Sequence, residues 1–99
     1  MLGEVIAKKR KQLGWTQRDV AAKLGISFQY LCDIELGKRS PSDDYFLDMI
    51  AATLGLSQDY LYFLAGRLPP DIRQSDHLGA DTITEGFQAL RTVLRSHWS

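Results

Sequence analysis

Short apolar stripes with helical spacing, each followed by a glycine, dominate the first two thirds of this chain. The apolar residues recur three and four positions apart, which is the period of one face of an α-helix. The glycines that follow the stripes are Gly14, Gly25, Gly37, Gly55 and Gly66. A glycine after such a stripe is a typical helix stop, and no strand-like alternation of useful length appears. The pattern therefore predicts an all-α domain of five short helices over residues 1–66.

Capping residues place the first three of these helices. Residues 2–13 are predicted to form the first helix, with its apolar face at Leu2, Val5, Ile6 and Leu13. Thr16 is predicted to cap the second helix in a capping box with Asp19, and Ser27 to cap the third. The inner faces of these two helices are expected at Val20, Ala21, Leu24, Ile26, Leu31 and Ile34. Because a turn of only about three residues joins them, we expect a steep crossing.

Two more helices follow by the same logic. Ser42 is predicted to cap the fourth helix, and Ser57 the fifth, since serine is a preferred N-cap residue. The buried stripe of the fourth helix is expected at Phe46, Leu47, Ile50, Ala51 and Leu54. The fifth is expected to contribute Tyr60, Leu61 and Leu64 to the core.

The size of the chain and its few reactive residues argue against catalysis. Ninety-nine residues close only a modest core, which excludes a large multi-layer enzyme. Cys32 is the single cysteine, so an internal disulfide is impossible. His77 and His97 lack acidic or histidine neighbours at metal-ligand spacing, and no phosphate loop or serine nucleophile motif appears. We therefore expect no enzymatic activity, no metal site and no cofactor.

The N-terminus and the distribution of charge indicate where the protein acts. In "MLGEVIAKKRKQLG" the charges follow the apolar residues, the reverse of a secretory signal, so we expect a cytoplasmic protein without membrane contact. The net charge is zero, but residues 1–40 carry +4 and residues 41–99 carry −4. A basic half is typical of a surface that meets a polyanion, although solvated helices also produce such splits by chance.

Three stretches carry a family resemblance: "WTQRDVAAKLGIS", "YLCDIELGKRSP" and "LGLSQDYL". Over Met1 to Gly66 the chain strongly resembles the Cro and phage-repressor type of helix-turn-helix protein, a five-helix lambda-repressor-like DNA-binding domain. The resemblance implies that the third helix is a recognition helix, which enters the major groove of double-stranded DNA.

The outward face of this helix supplies the candidates for base contact, which are Ser27, Phe28, Gln29, Cys32 and Asp33. The amide of Gln29 suits the N7 and N6 positions of adenine, Phe28 suits a thymine methyl, and Asp33 suits the amino group of cytosine. Two alternatives stay open at this point. In the first, Phe28 packs against the second helix or a dimer partner instead of a base. In the second, Asp33 is only a solvated residue at the edge of the groove.

The resemblance also implies contacts to the DNA backbone and one structural ion pair. The backbone candidates are Thr16, Gln17, Arg18, Lys38 and Arg39. Gln17 matches a glutamine that in this family bonds a phosphate and supports the recognition helix, and Lys38 and Arg39 match the loop that meets the backbone. Arg10 and Glu35 match an ion pair between the first and third helices. The alternative for Gln17 is that it is only a polar residue near the helix cap. The alternative for Lys38 and Arg39 is that they belong to an ordinary solvated loop.

The remainder of the chain is predicted to be a linker and one more helix. Residues 67–81 combine paired prolines with polar residues and no period, which is typical of a linker. Residues 82–99 are predicted to form an amphipathic helix that begins at a capping box of Thr82 and Glu85. Its apolar seam consists of Ile83, Phe87, Leu90 and Leu94. Three alternatives are open for this seam: it pairs with the same helix of a second copy, folds back on the domain, or binds another protein. We favour pairing, which makes residues 82–99 a dimerisation segment.

Together these features predict a sequence-specific DNA-binding transcriptional regulator. We expect a homodimeric repressor at a pseudo-palindromic operator, associated with the nucleoid when bound. One alternative is an antitoxin that represses its own operon and binds a toxin through its C-terminal segment. Another is a protein-interaction module that has kept the fold and lost DNA binding.

Overall fold

The computed structural model describes residues 1–41 and 43–97, and these residues form α-helices and no strand. The helices are α1 (Leu2–Gln12), α2 (Gln17–Leu24), α3 (Phe28–Glu35), α4 (Asp44–Leu54), α5 (Gln58–Leu64), α6 (Pro70–Arg73) and α7 (Ala80–Ser96). The prediction of an all-α chain with a C-terminal helix is confirmed. The chain divides into two compact units, which meet between Pro69 and Pro70 in the sequence. None of the described helices combines the length and apolarity that crossing a membrane requires.

The capping predictions for α2 and α3 are confirmed. The Thr16 hydroxyl accepts a hydrogen bond from the Asp19 N–H at 3.0 Å, and the Asp19 carboxylate accepts one from the Thr16 N–H at 2.9 Å. The hydrogen bond from the Thr16 N–H lowers the pKa of the Asp19 carboxyl most strongly, and the Thr16 side chain lowers it further. The cap therefore stabilises the fold above the unfolded pKa of this carboxyl and weakens as the pH falls through its folded value. Ser27 accepts from the Tyr30 N–H at 3.1 Å.

The cap of α4 lies one residue later than expected. The Asp43 carboxylate accepts a hydrogen bond from the Phe46 N–H at 2.8 Å, which makes Asp43 the N-cap. Ser42, the predicted cap, lies outside the described residues. Asp43 is a good N-cap because its charged oxygen both satisfies an orphan N–H and complements the helix dipole.

The hydrophobic core of the first unit follows the predicted stripes closely. Its buried apolar residues are Leu2, Ile6, Val20, Ala21, Leu24, Leu31, Ile34, Phe46, Leu47, Ile50, Ala51, Leu54, Leu61 and Tyr62. On α1 the apolar face is narrower than expected, because Val5 is only half-buried and Leu13 is exposed. Five helices therefore bury one common core, and burial of each large side chain contributes about 1.5–3 kcal/mol.

The expectation for Tyr60 on α5 was wrong. Tyr60 is 46% exposed, whereas Tyr62 is 2% exposed. The hydroxyl of Tyr62 lies 2.9 Å from the Asp48 carboxylate and 3.2 Å from the Asp44 carbonyl oxygen. A buried tyrosine is stable only where its hydroxyl has such a partner. Partners on α4 thus decide which tyrosine enters the core, and helical spacing alone does not identify them.

Gly3 is a structural residue that the apolar pattern did not reveal. It lies buried in α1, against the C-terminal end of α3. A Cβ atom at this position would meet the carbonyl oxygens of Ile34 and Glu35, the latter at 2.6 Å. Since these are backbone atoms, they cannot move aside cheaply. Gly3 therefore allows the close approach of α1 to the predicted recognition helix.

The second unit contains α6 and α7. The short helix α6 lies inside the segment that was expected to be an irregular linker. Helix α7 begins at Ala80, with Gly79 in an extended conformation as its N-cap and no side-chain cap bond. The predicted capping box was wrong, because Thr82 and Glu85 both lie within the helix. No residue of α7 is buried.

We predict that Gly3→Ala destabilises the first unit by about 1–3 kcal/mol, because the added methyl group overpacks the contact between α1 and α3. Thermal or urea unfolding measures this loss. Gly86→Ala is the matched control, since nothing lies within 4 Å of its Cβ position. That variant is expected to be neutral or slightly stabilising. Equal stability of Gly3→Ala and the parent chain would contradict the close-approach argument.

Candidate nucleic-acid interface

The turn between α2 and α3 sets the geometry of the candidate interface. Gly25 ends α2 in the left-handed conformation, at φ 69°. The Ile26 N–H donates to the Ala21 carbonyl oxygen at 3.0 Å, which closes the end of the helix. Ile26 itself packs against the core, and Ser27 starts the next helix at once. The chain therefore changes direction within a few residues, and the turn holds α3 at a fixed angle to α2.

Helix α3 has an inner and an outer face. Leu31 and Ile34 are each 1% exposed and anchor the helix in the core. Of the five candidates for base contact, Ser27, Phe28 and Gln29 are exposed, whereas Cys32 and Asp33 are half-buried. The N-terminal turn of α3 is thus the part that projects most fully, as expected of a helix whose first residues meet base edges.

A buried ion pair connects α1 to α3. The Arg10 Nε donates to Glu35 Oε2 at 2.8 Å, and its Nη2 donates to Oε1 at 3.0 Å, so the pair is bidentate. The third nitrogen of the guanidinium, Nη1, donates to the Trp15 carbonyl oxygen at 3.0 Å. The two side chains are only 10% and 6% exposed. The hydrogen bonds to Glu35 raise the pKa of Arg10, although burial acts in the opposite direction.

Gln17 extends this network to α2. Its side-chain N–H donates to Glu35 Oε1 at 2.9 Å, and its Oε1 accepts from the Cys32 Sγ at 3.4 Å. Three helices are therefore joined around one buried carboxylate. Cys32 points its thiol at Gln17, and Gln17 directs at least one amide hydrogen inward. Both candidates consequently support α3 in this structure, whatever contacts they add with DNA.

Phe28 and Arg18 form a stacked pair across the turn. The guanidinium carbon of Arg18, near the start of α2, lies 4.5 Å from the centre of the Phe28 ring. Such a cation–π contact is worth about 0.5–1 kcal/mol at an exposed site. Phe28 therefore contacts α2, which was one of the alternatives to a base contact for this residue. Its side chain still remains exposed.

Asp33 joins the outer face of α3 to the loop that follows it. Its Oδ1 accepts a hydrogen bond from the Gln29 side-chain N–H at 3.0 Å, and its Oδ2 lies 3.6 Å from the Arg39 Nε. The backbone carbonyl of Asp33 accepts from the Lys38 N–H at 2.8 Å. Gly37 makes this return possible through a positive φ of 78°. Asp33 therefore contacts Gln29, a candidate for base contact, as well as Lys38 and Arg39, which are candidates for contact with the DNA backbone.

The cationic candidates for backbone contact lie in α2 and in the loop that follows α3. Arg18, Lys38 and Arg39 are exposed side chains with positive charge. Thr16 is exposed too, but its hydroxyl already caps α2. The guanidinium carbon of Arg18 lies 4.5 Å from the Phe28 ring centre and that of Arg39 lies 5.6 Å from the Tyr30 ring centre. Two cations therefore lie near the first turn of α3, a position suited to contact with phosphate groups.

Comparison with known proteins identifies the family. Residues 6–61 match the HTH_3 family model, whose description is Helix-turn-helix. This chain belongs to the Cro/C1-type helix-turn-helix family. An uncharacterized HTH-type transcriptional regulator of Mycobacterium tuberculosis is 38% identical over 68 residues, 69% of this chain and 48% of that protein. An uncharacterized HTH-type transcriptional regulator of Sinorhizobium fredii is 37% identical over 57 residues, 58% of this chain and 73% of that protein. The chain thus spans about half the length of the mycobacterial relative.

Solved structures of SinR share the fold of this family member. The crystal structure of SinR, a master regulator for biofilm formation, in complex with DNA has 31% sequence identity and a TM-score of 0.56. The match covers 62% of this chain and 97% of that one. The SinR/SinI protein complex matches over 97% of this chain with a TM-score of 0.57, and at 22% identity this likeness concerns the fold alone.

Two features, one in the family domain and one on α7, were not predicted from the sequence. The Trp15 carbonyl completes the hydrogen bonds of Arg10, and the Trp15 ring lies 4.6 Å from the Lys23 ammonium. Trp15 directly precedes the Thr16 cap, the position of a hydrophobic staple residue, and this signal was available. The second omission is Val93 on α7, which is exposed beside Ile83, Phe87, Leu90 and Leu94. It widens the predicted seam into an apolar face.

We predict that Glu35→Gln destabilises the first unit by roughly 3–5 kcal/mol, because it leaves the buried Arg10 charge without its anionic partner. Chemical denaturation measures the change. Glu4→Gln, an exposed substitution of the same type on α1, is the control and is expected to cost at most about 1 kcal/mol. If both variants lost the same small amount, the ion pair would not be essential to the fold.

Proposed function

We propose that this chain is a sequence-specific, homodimeric DNA-binding transcriptional regulator, and that it represses transcription by occupying a pseudo-palindromic operator. The observation that carries the proposal is the outer face of α3. An exposed N-terminal turn with Phe28 and Gln29 belongs to a helix held by the buried network around Glu35, and the side chains of Arg18 and Arg39 lie near this turn. This combination suits direct readout in the major groove of double-stranded DNA.

The comparisons support DNA as the partner. SinR, whose structure in complex with DNA is known, is 31% identical in a match that covers 62% of this chain. The matched relatives are named as transcriptional regulators. In the proposed complex, Gln29 contacts adenine and Phe28 contacts a thymine methyl, while Arg18, Lys38 and Arg39 contact phosphates. These phosphate contacts position the protein and make binding dependent on salt.

The apolar face of α7 supports the homodimer. Ile83, Phe87, Leu90, Val93 and Leu94 are 38 to 55% exposed. A helix of this length is marginal in water without tertiary packing, so a face of this size requires a partner surface. The matching helix of a second copy supplies an identical seam with spacings of four, three and four residues, as in a short coiled coil. A two-fold dimer also presents two recognition helices about 34 Å apart, one turn of DNA.

Repression follows most directly from occlusion. Two copies of α3 in successive major grooves cover a stretch of duplex that polymerase must otherwise occupy. No catalytic step or cofactor enters this mechanism, and regulation then depends on the concentration and the dimerisation of the protein. We propose that it acts in the cytoplasm, on nucleoid DNA.

Selection of bound duplexes from a random library, at about 150 mM salt to suppress non-specific binding, tests the proposal. We predict enrichment of an inverted repeat whose half-sites lie about 10 base pairs apart. Gln29→Ala should lose preference at one base position in each half-site, at a cost of roughly 1–3 kcal/mol. Gln58→Ala, an exposed glutamine at the start of α5, should select the parent sequence. A folded protein that enriches no sequence would overturn the proposal in favour of an interaction module.

We predict that replacing Phe87 and Leu90 together by Gln converts the dimer into a monomer, because it places polar groups in the centre of the seam. Multi-angle light scattering measures the mass of the variant and of the parent chain. Gln88→Ser with Thr92→Ser, on the opposite face of α7, is the control and should remain dimeric. A dimer that survives the seam substitutions would rule out α7 as the dimerisation element.

A further inference from the structure

The position of Asp33 raises a question about electrostatics. A carboxylate on the outer face of a recognition helix faces the negative field of a DNA duplex, which opposes binding. In this structure both carboxylate oxygens have partners within the chain. Oδ1 accepts from Gln29 Nε2 at 3.0 Å, and Oδ2 pairs with Arg39 Nε at 3.6 Å. Asp33 is therefore occupied by the chain's own side chains before any base is near.

The bond to Gln29 fixes the orientation of its amide. A carboxylate accepts hydrogen bonds and donates none, so only the NH₂ end of the amide can face Asp33. The carbonyl oxygen of Gln29 must then point away from Asp33. Because the two residues are four positions apart on one helix, the bond forms along the helix surface and supports the helix as well. A flipped amide would place two acceptor oxygens against each other.

This orientation determines what Gln29 presents to a base. One amide hydrogen is held by Asp33, which leaves the carbonyl oxygen and the second hydrogen for the groove. Adenine offers one acceptor, N7, and one donor, the N6 amino group, and matches this pair. Guanine offers two acceptors, N7 and O6, so the fixed carbonyl oxygen faces an acceptor and repels it. A glutamine that is free to turn could instead direct its NH₂ group at guanine.

Arg39 completes the arrangement by neutralising Asp33. The Arg39 side chain is 64% exposed, whereas that of Asp33 is 19% exposed. The guanidinium carries five N–H donors, and the contact with Asp33 involves its Nε. The other two guanidinium nitrogens take no part in this contact and remain suited to a phosphate. Arg39 can thus neutralise the charge of Asp33 and contact the DNA backbone at the same time.

We propose that Asp33 is a positioning residue, which sets adenine-over-guanine preference at the base that Gln29 faces by holding the Gln29 amide in one orientation. The proposal rests on the proposed function, since it requires that Gln29 contacts a base. It gives Asp33 a role different from the expected contact with the amino group of cytosine, because the carboxylate already accepts from Gln29 and lies beside Arg39.

Asp33→Asn separates these roles. Its side-chain amide either accepts from Gln29 or donates to it, so it holds no single orientation of the glutamine while keeping the size of the residue. The probes are four duplexes of the selected operator that differ only at the base pair whose preference Gln29→Ala abolishes. Dissociation constants are measured by fluorescence anisotropy for the parent chain, Asp33→Asn, Gln29→Ala and the double variant. Asp59→Asn, an exposed acid on α5, is the matched control.

We expect the adenine-to-guanine affinity ratio to fall about fivefold or more in Asp33→Asn, within the range that a bidentate base contact supplies. In the Gln29→Ala background, Asp33→Asn should leave the ratio unchanged, because the residue it positions is absent. The control should keep the parent ratio. This pattern would establish that Asp33 acts through Gln29.

Other patterns overturn the inference. If Asp33→Asn changes the affinity for all four duplexes by the same factor, its effect is one of charge or structure alone. If it abolishes a cytosine preference at a different position, Asp33 contacts a base directly. In both cases Gln29→Ala still abolishes the base preference at one position, so the proposed function survives. If the parent chain itself shows no sequence preference, the proposed function fails, and the inference fails with it.

Discussion

The buried pair of Arg10 and Glu35 is the interaction on which the arrangement of the first unit depends. A charge that is removed from water is stable only with a well-placed partner, and here each guanidinium nitrogen donates a hydrogen bond. Arg10 comes from α1, Glu35 ends α3, and Gln17 of α2 bonds the same carboxylate. A displacement of α1 or α3 would separate the two charges, and a displacement of α2 would remove the Gln17 bond to the same carboxylate. The pair therefore specifies the position of α3 more sharply than apolar contacts do, because those tolerate small shifts.

Much of the fold was predictable because its signals are local. Thr16 and Ser27 cap helices through their own oxygens, and a stripe such as that of α4 needs only helical periodicity. Two residues of the first unit were missed because their roles depend on contacts between elements. Gly3 matters because backbone atoms of α3 approach it, and Tyr62 is buried because Asp48 lies within reach of its hydroxyl. Neither contact leaves a trace in the spacing of residues along one helix, so a single sequence cannot reveal it.

In the candidate interface, too, local signals were predictable from the sequence and contacts between side chains were not. Periodicity and the family resemblance together placed Phe28, Gln29, Cys32 and Asp33 on one face of α3. They did not show what holds these side chains. Phe28 lies against Arg18, Cys32 points at Gln17, and Asp33 bonds Gln29. The chemical options of a side chain in a groove depend on these partners, because a bond already made fixes its rotamer and removes a donor or an acceptor.

The two units follow different physical logic, and the proposed dimer connects them. The first unit buries its own core, whereas α7 buries no residue and keeps its apolar face exposed. In the proposed assembly, pairing of two α7 helices stabilises them and brings two recognition helices into one complex. The second half-site is then bound intramolecularly, which raises its effective concentration. A helix that is marginal alone would thus make occupancy of the operator depend on protein concentration.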